Sequence, residues 1–472
     1  SPEDVRYSLM RFILLDRAGG PSPLLLEPLT GFPSTRDAKG ALVNEIYDHV
    51  AQAITIEGNN VILTLDKHFA PILTVLASWA PVLSKTWCLA NGEWDGSKDA
   101  WKNHNNPQKN GTYLHEHANG TGPFMLERWD KENRKIILRR FESYWQGPAK
   151  LKRAIIDTVP EFQTRKLMLA AGDADSIYAD QTDLPLLQNM EEVDVIGNLS
   201  PIDMSPGGFF VFQINTQGNP YVGSGKLDGQ GISPDFFSDK DVRKAFAHSL
   251  DYNGFLTDVG RGTRAPSFMP KGLLGHNPAQ SVYTYDLKQA EAEFKKAHGG
   301  ELWKMGFKFT ITYNDGNQPR RILAQMLKRA VESINPKFQI ETRPLPWALY
   351  LDQANNSLFP IFVSGWFPDF PDPHNFAFPF LHSRATFPRR QRYANSEADK
   401  LITEAMVEGN VERRKLIYHR LQQIAYEDLP MIPIINQNYF RVQRVWVEGF
   451  VYNPIFPNSP HSCPLYYLSK RL

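Results

Sequence analysis

The chain has 472 residues, more than one hydrophobic core usually spans, so two or three subdomains are expected. Apolar residues at 42% and charged residues at 22% exclude the compositions of disordered and fibrous chains. Lys plus Arg 52 against Asp plus Glu 51 leaves a net charge of +1, without the basic field that a phosphate backbone needs, so nucleic acid is excluded as a partner.

In chain order, "SPEDVRYSLMRFILL" predicts an opening helix, with Ser1 as cap, Pro2 in the first turn, and Glu3 and Asp4 at the positive end of the dipole. No cationic, apolar leader precedes it, so any secretory signal lies outside this sequence. "ITIEGNNVILTLD" predicts a hairpin turning at Gly58, Asn59 and Asn60. Residues 69–90 read as helix broken by proline. The apolar run from Phe69 to Leu83 is too short for a bilayer and carries Pro71 and Pro81.

Residues 88–122 are polar and predict a long exposed loop. A second hairpin follows in "GTGPFMLERWDKENRKIILRRFESYW", then a strand in "LKRAIIDTVPE". "FQTRKLMLAAGDAD" predicts a helix with Leu167, Leu169 and Ala170 inward and a stop at Gly172. "GGFFVFQINT" is a strand and residues 217–239 a polar loop. A helix capped by Ser238 begins an α/β region near Lys240, continuing with an amphipathic helix carrying Ala290 and Phe294, an alternating strand "FKFTITYN" and a helix "RRILAQMLKRAVESI". The last stretch, from "MIPIINQNYF", returns to extended, aromatic sequence.

"SGWFPDFPDPHNFAFPFLHS" is the conspicuous segment. It sets Asp369 and Asp372 among Trp366, Phe367, Phe370, Phe376, Phe378 and Phe380, which neither a buried strand nor a solvated loop calls for, and so it predicts a binding region. Motifs for zinc proteases, nucleophile elbows, phosphate loops and dinucleotides are absent. His104 with His115, Glu116 and His117 could hold a divalent ion, against the plainer reading of a solvated loop; no cofactor is expected. Asp369 and Asp372 could form a glycosidase pair, with Trp347 and Trp366 stacking on sugar rings. Cys88 and Cys463 are too few for a disulfide framework and read as two buried thiols in preference to a bridge.

Four segments in order, the "GTGPF…ESYW" hairpin, "SDKDVRKAFAHSLDYNGF", "YDLKQAEAEFKKA" and "GWFPDFPDPHNF", resemble the extracellular solute-binding proteins, family 5, of peptide, nickel and opine ABC importers. The resemblance implies an α/β, type II periplasmic-binding fold: two hinged lobes and a subdomain inserted in lobe I. It divides the chain into 1–118 (inserted subdomain), 119–239 (lobe I), 240–436 (lobe II) and 437–472 (return to lobe I). It implies a periplasmic or extracellular receptor, monomeric and not an enzyme, that passes an oligopeptide-like solute to an ABC permease. A cell-surface lipoprotein, or a receptor turned sensor or chaperone partner, stays open.

Carried over, Asp369 matches the aspartate that meets a peptide's ammonium, Gly365 and Phe367 match backbone positions that pair with an extended ligand, and Trp366 and Trp347 match pocket walls. Tyr178 and Phe210 are candidates on lobe I by position. Asp372 reads as a turn or capping residue between Pro371 and Pro373. Two departures stand out. The chain opens at a helix the family reaches only after its first lobe I strands, which are then missing or supplied elsewhere. Asn314-Asp315-Gly316 occupies the region where dipeptide-specific members carry a carboxylate-binding arginine, with Arg320 and Arg321 following on a helix, which favours a longer peptide or another solute.

Overall fold

β-Branched and aromatic runs converge on one central sheet in the computed structural model, which describes residues 1–472 except 19, 38, 109, 201, 203–207, 259–261, 456–463 and 472. Its strands lie in the order Phe338–Leu345, Phe307–Asn314, Ile361–Ser364, Phe209–Phe212 and Met431–Pro433. Phe307–Asn314 runs parallel to Phe338–Leu345 and to Ile361–Ser364, and Phe209–Phe212 runs antiparallel to its two neighbours. The carboxyl ends of Asn314, Leu345, Ser364 and Pro433 therefore share one edge, where open α/β sheets place their ligands.

Helices cover both faces. Phe210, Phe212, Phe307, Phe309, Ile311 and Val363 pack on one side with Val242, Phe246, Phe294, Leu323 and Leu327. Phe209, Val211, Leu345, Phe362 and Met431 pack on the other with Phe376, Phe380, Phe387, Tyr418 and Leu421. This explains why "FKFTITYN" does not behave as the half-exposed strand its alternation predicts: Phe307, Phe309, Thr310, Ile311, Thr312 and Tyr313 are all buried, as in a parallel sheet covered twice.

A second core occupies the N-terminal unit. The helix Pro2–Leu15 opens it with a reciprocal capping box between Ser1 and Asp4. The hairpin pairs Ile54–Glu57 with Asn60–Leu63, and helices Ile72–Trp79 and Lys85–Ala90 are separated at Pro81 as proline requires. The stretch expected as an exposed loop contributes Trp94 and Trp101, both fully buried, and the short helix Trp101–His104, because polar composition hid two large anchors. Cys88 is buried there; Cys463, and with it any bridge, lies outside the described residues.

The second hairpin pairs Phe124–Asp130 with Lys135–Arg140, and Arg153–Asp157 completes that sheet. A further sheet joins Ser176–Ile177, Tyr439–Arg444 and Val193–Leu199. The chain crosses between it and the central sheet twice, from Leu199 to Phe209 and from Pro433 to Tyr439. The described ends of the two crossings are paired: Ile434 N donates to Gly208 O at 3.1 Å, and Tyr439 pairs with Leu199.

Three expectations need correction. In the helix Phe162–Ala171, Gly172 caps as expected, but Leu167 and Ala170 are exposed and only Leu169 is fully buried, since the helix rests on a small cluster with Leu187 and Val442. Asp239, not Ser238, caps the helix Lys240–Ser249, accepting from Asp241 N. Residues 217–239 form loop, yet Val222, Ile232, Phe236 and Phe237 are buried in the central core, upstream of the composition shift at 240.

Phe246 lies within 6.1 Å, between ring centroids, of Phe212, Phe237, Phe294, Phe307 and Phe309. Phe246→Ala is expected to cost about 3–5 kcal/mol through the cavity it leaves. Urea unfolding followed by tryptophan fluorescence measures this as a lower midpoint.

Candidate functional site

The conspicuous segment leaves the central sheet at Ser364 and runs along the shared carboxyl edge. After Ser364 the strand stops, and among the described residues the backbone groups of Gly365, Trp366 and Phe367 make no hydrogen bond. An extended stretch with open amides and carbonyls can accept a ligand as an added strand.

Trp366 is half-buried. Its Nε1 donates to Asn375 O at 2.9 Å and to Asn375 Oδ1 at 3.1 Å, and its ring packs against Phe380 and Phe387. Phe367 is exposed. Trp347 begins the helix Trp347–Asn355 after the edge strand Phe338–Leu345, two strands from Ile361–Ser364; it is 53% exposed and stacks on buried Tyr350 at 5.6 Å. Tyr350 Oη donates to Val363 O at 2.8 Å, which fixes that tryptophan's platform to the strand preceding Gly365.

Asp369 is solvent-exposed as a residue, so a solute can reach it. The protein mass around its carboxyl nonetheless pushes its pKa up, with the Asn375 side chain the opposing influence. No ion pair among the described residues includes it. Its amide donates to Asn375 Oδ1 at 3.1 Å and its carbonyl accepts from Trp79 Nε1 at 2.9 Å.

Asp372 has another role. It is buried, and its carboxylate takes two hydrogen bonds from Arg414, Nη1 to Oδ2 at 2.9 Å and Nη2 to Oδ1 at 2.7 Å. Oδ1 also accepts from His374 N at 2.8 Å, a local turn across Pro373 that leads into the helix His374–Leu381, in line with the turn role expected of it. Bound in this way it cannot join Asp369 in two-carboxylate chemistry, and the glycosidase pair is not assembled.

Gly365, Trp366, Phe367, Asp369 and Trp347 thus meet at one sheet edge. The remaining two candidates do not join them. Phe210 is fully buried in the middle of the central sheet, paired with Val363 and Ile432, so it is a core residue rather than a lobe I contact. Tyr178 ends the strand Ser176–Ile177 of the small sheet, half exposed, with its Oη donating to Asp180 Oδ1 at 2.7 Å. The histidine cluster also disperses: His117 stacks on Tyr113, His115 leans on Trp129 and Glu116 pairs with Lys131. Among the described residues no group of three metal-capable side chains forms. Arg320 lies on the helix Gln318–Ile334 as expected, buried and donating to Asn314 Oδ1 at 2.7 Å.

Sequence reasoning missed Asn375, whose single side-chain oxygen accepts from both Trp366 and Asp369, and Trp79, which reaches Asp369 from 290 residues away. Asn375 stood in the quoted segment, two residues after the Asp372-Pro373 turn, which was its available signal; Trp79 had none.

The model of the bacterial extracellular solute-binding proteins, family 5 Middle, matches residues 1–388. The chain belongs to this family. Among curated relatives of this solute-binding protein, the probable D,D-dipeptide-binding periplasmic protein DdpA of Escherichia coli K12 is 25% identical over 406 residues, covering 84% of the chain and 70% of the relative. Heme-binding protein A of Haemophilus influenzae is 26% identical over 341 residues, covering 71% of the chain and 57% of the relative. The matched stretch therefore spans little more than half of some relatives.

Among solved structures, the dipeptide-binding protein of Pseudoalteromonas sp. SM9913 in complex with Met-Leu aligns with a TM-score of 0.70 at 21% identity, covering 99% of this chain and 83% of that one. A putative peptide-binding protein AppA from Clostridium difficile gives 0.73 at 16% identity, covering 99% and 85%. At such identities the likeness carries the fold, the expected two-lobed type II periplasmic-binding architecture.

Arg414→Met should destabilise this solute-binding protein by about 3–5 kcal/mol by leaving Asp372 buried without its cation, whereas adding Asp372→Asn should restore part of the loss. Thermal unfolding of the two variants measures both effects. Beside that pair, burial lowers the pKa of His374 from 6.5 to about 4, Asp372 opposing and Arg414 and His382 reinforcing the shift. The unfolded chain then takes up the proton first, so this group's contribution is complete above pH 6.5 and declines on acidification to about 4, by roughly 3 kcal/mol. His374→Gln should flatten the pH dependence of the urea midpoint across that window.

Proposed function

We propose that the protein is the receptor of an ABC importer that captures an oligopeptide-like solute between its lobes and hands it to a membrane permease. The observation that carries this reading is Asp369: a reachable carboxylate, in no ion pair among the described residues, set two residues beyond three consecutive residues with open backbone groups. A solute ammonium completes that charge, and charge-assisted bonds are strongest where water is scarce. The open peptide groups of Gly365 and Phe367 pair with the solute's main chain, while Trp366, Phe367 and Trp347 offer apolar walls that tolerate varied side chains.

The family and its relatives support the class of solute. Their names include dipeptide- and oligopeptide-binding proteins, and one solved structure similar to this chain, AppA of Bacillus subtilis, holds a nonapeptide. Asn314, Asp315 and Gly316 themselves bring no cation to the end of the strand Phe307–Asn314, and Arg320 behind them is buried and donates to Asn314, which favours a longer peptide. Binding and release involve no covalent step. Relatives named as periplasmic support a receptor that works outside the inner membrane, and among the described residues no helix is long and apolar enough to cross one. The protein acts as a monomer.

Native mass spectrometry of the purified protein, followed by denaturation, identifies what it carries. A ladder of peptide masses is the expected result; a single non-peptide mass overturns the solute assignment. Asp369→Ala should weaken a free-amine peptide by roughly tenfold or more, the worth of a charge-assisted bond, and its N-acetylated form little. Equal losses in isothermal titration would remove the ammonium role.

A further inference from the structure

Asp369 stands at a junction between two separately cored units. Its amide is fixed to Asn375 of the central unit, and its carbonyl to Trp79, the last residue of the helix Ile72–Trp79 in the N-terminal unit. The next residue, Phe370, is 1% exposed and belongs to the N-terminal core together with Leu25, Val75, Trp94 and Trp101, although its chain neighbours belong to the central unit. The same two units touch nearby: Ala70 N donates to Met406 O at 3.0 Å, His68 Nδ1 lies 2.9 Å from Val407 O, and Phe69 meets His374 edge-on.

We propose that Trp79 and Phe370 are positioning residues for Asp369, so that the N-terminal unit takes part in recognising the solute's ammonium group without touching it. This rests on the function proposed above and adds a residue set to it. A carboxylate is aimed by the backbone that carries it, and a loop leaving a strand after Ser364 has no ladder to hold it. Hydrogen bonds at both flanking peptides, with Phe370 seated as a plug, restrict Asp369 to one direction. If the N-terminal unit only stabilised the fold, its loss would affect every ligand equally; if it aims the carboxylate, its loss falls on ligands with a free ammonium.

Trp79→Phe removes the N–H and keeps a ring in place, and Phe370→Leu loosens the plug while retaining an apolar side chain. Isothermal titration with tetra-alanine and N-acetyl-tetra-alanine reads the difference. Trp79→Phe is expected to weaken tetra-alanine by roughly five- to tenfold, about the worth of one hydrogen bond, and the acetylated peptide less than about twofold. In an Asp369→Asn background it should change neither. Equal losses on the two peptides, or none, overturn the proposal.

Failure of the functional reading looks different: Asp369→Asn itself would then not discriminate between the peptides. In that case the ligand-free protein decides. Carboxyl NMR titration of Asp369 should show its raised pKa falling toward the ordinary value in Trp79→Phe and in Phe370→Leu, as water reaches a carboxylate no longer held in place. An unchanged titration overturns the positioning role whatever the solute.

Discussion

Two charges withdrawn from water, Asp372 and Arg414, set the geometry on which the rest of the site depends. The loop after Ser364 carries Pro368, Pro371 and Pro373, each with a fixed φ and no amide to donate, so it can neither extend the sheet nor coil at once into helix. What it can do is turn, and the forked guanidinium of Arg414 holds the turn by both carboxylate oxygens. Such a pair contributes little net stability against an apolar replacement, but breaking one half of it is costly, so the turn has one arrangement rather than several. With Asp372 consumed in this way, Asp369 is the carboxylate of the segment left to face a solute.

Around that turn the recognition groups divide by type. In the proposed receptor, peptide groups at Gly365 to Phe367 would read the main chain, Asp369 the charge, and Trp347, Trp366 and Phe367 would accommodate bulk. Asn375 ties the first two together, because one amide oxygen accepts from the indole of Trp366 and from the backbone of Asp369. Relatives named for dipeptides and for heme share the fold at about a quarter identity, which fits a sheet that supplies position and loops that supply chemistry.

Much of this was legible in the sequence where local physics decides. Ser1 caps the opening helix as expected, Gly172 ends its helix, and Pro81 breaks another. The aromatic, acidic segment proved to be the edge where the candidate residues gather. Elsewhere the deciding contacts are long-range. Trp94 and Trp101 sit in polar surroundings in sequence and are buried only because the opening helix packs on them. Phe210 looks the same as a pocket aromatic until its strand pairs on both sides. Asp369 and Asp372 are three residues apart and similar in context, and only Arg414, 42 residues beyond Asp372, separates their roles. Periodicity carries no record of Trp79 reaching Asp369.

The paired crossings between the small and central sheets have a mechanical consequence. One tether leaves a body free to swivel in every direction, whereas two connections paired at their ends, Tyr439 with Leu199 and Ile434 with Gly208, favour rotation about the line that joins them. In the proposed receptor the two walls of a solute site would then meet along a single arc. Their approach is an intramolecular event with a high effective concentration fixed by the covalent chain, so a solute held weakly by one wall needs to supply only the free energy of a turn about one axis, not that of bringing two bodies together.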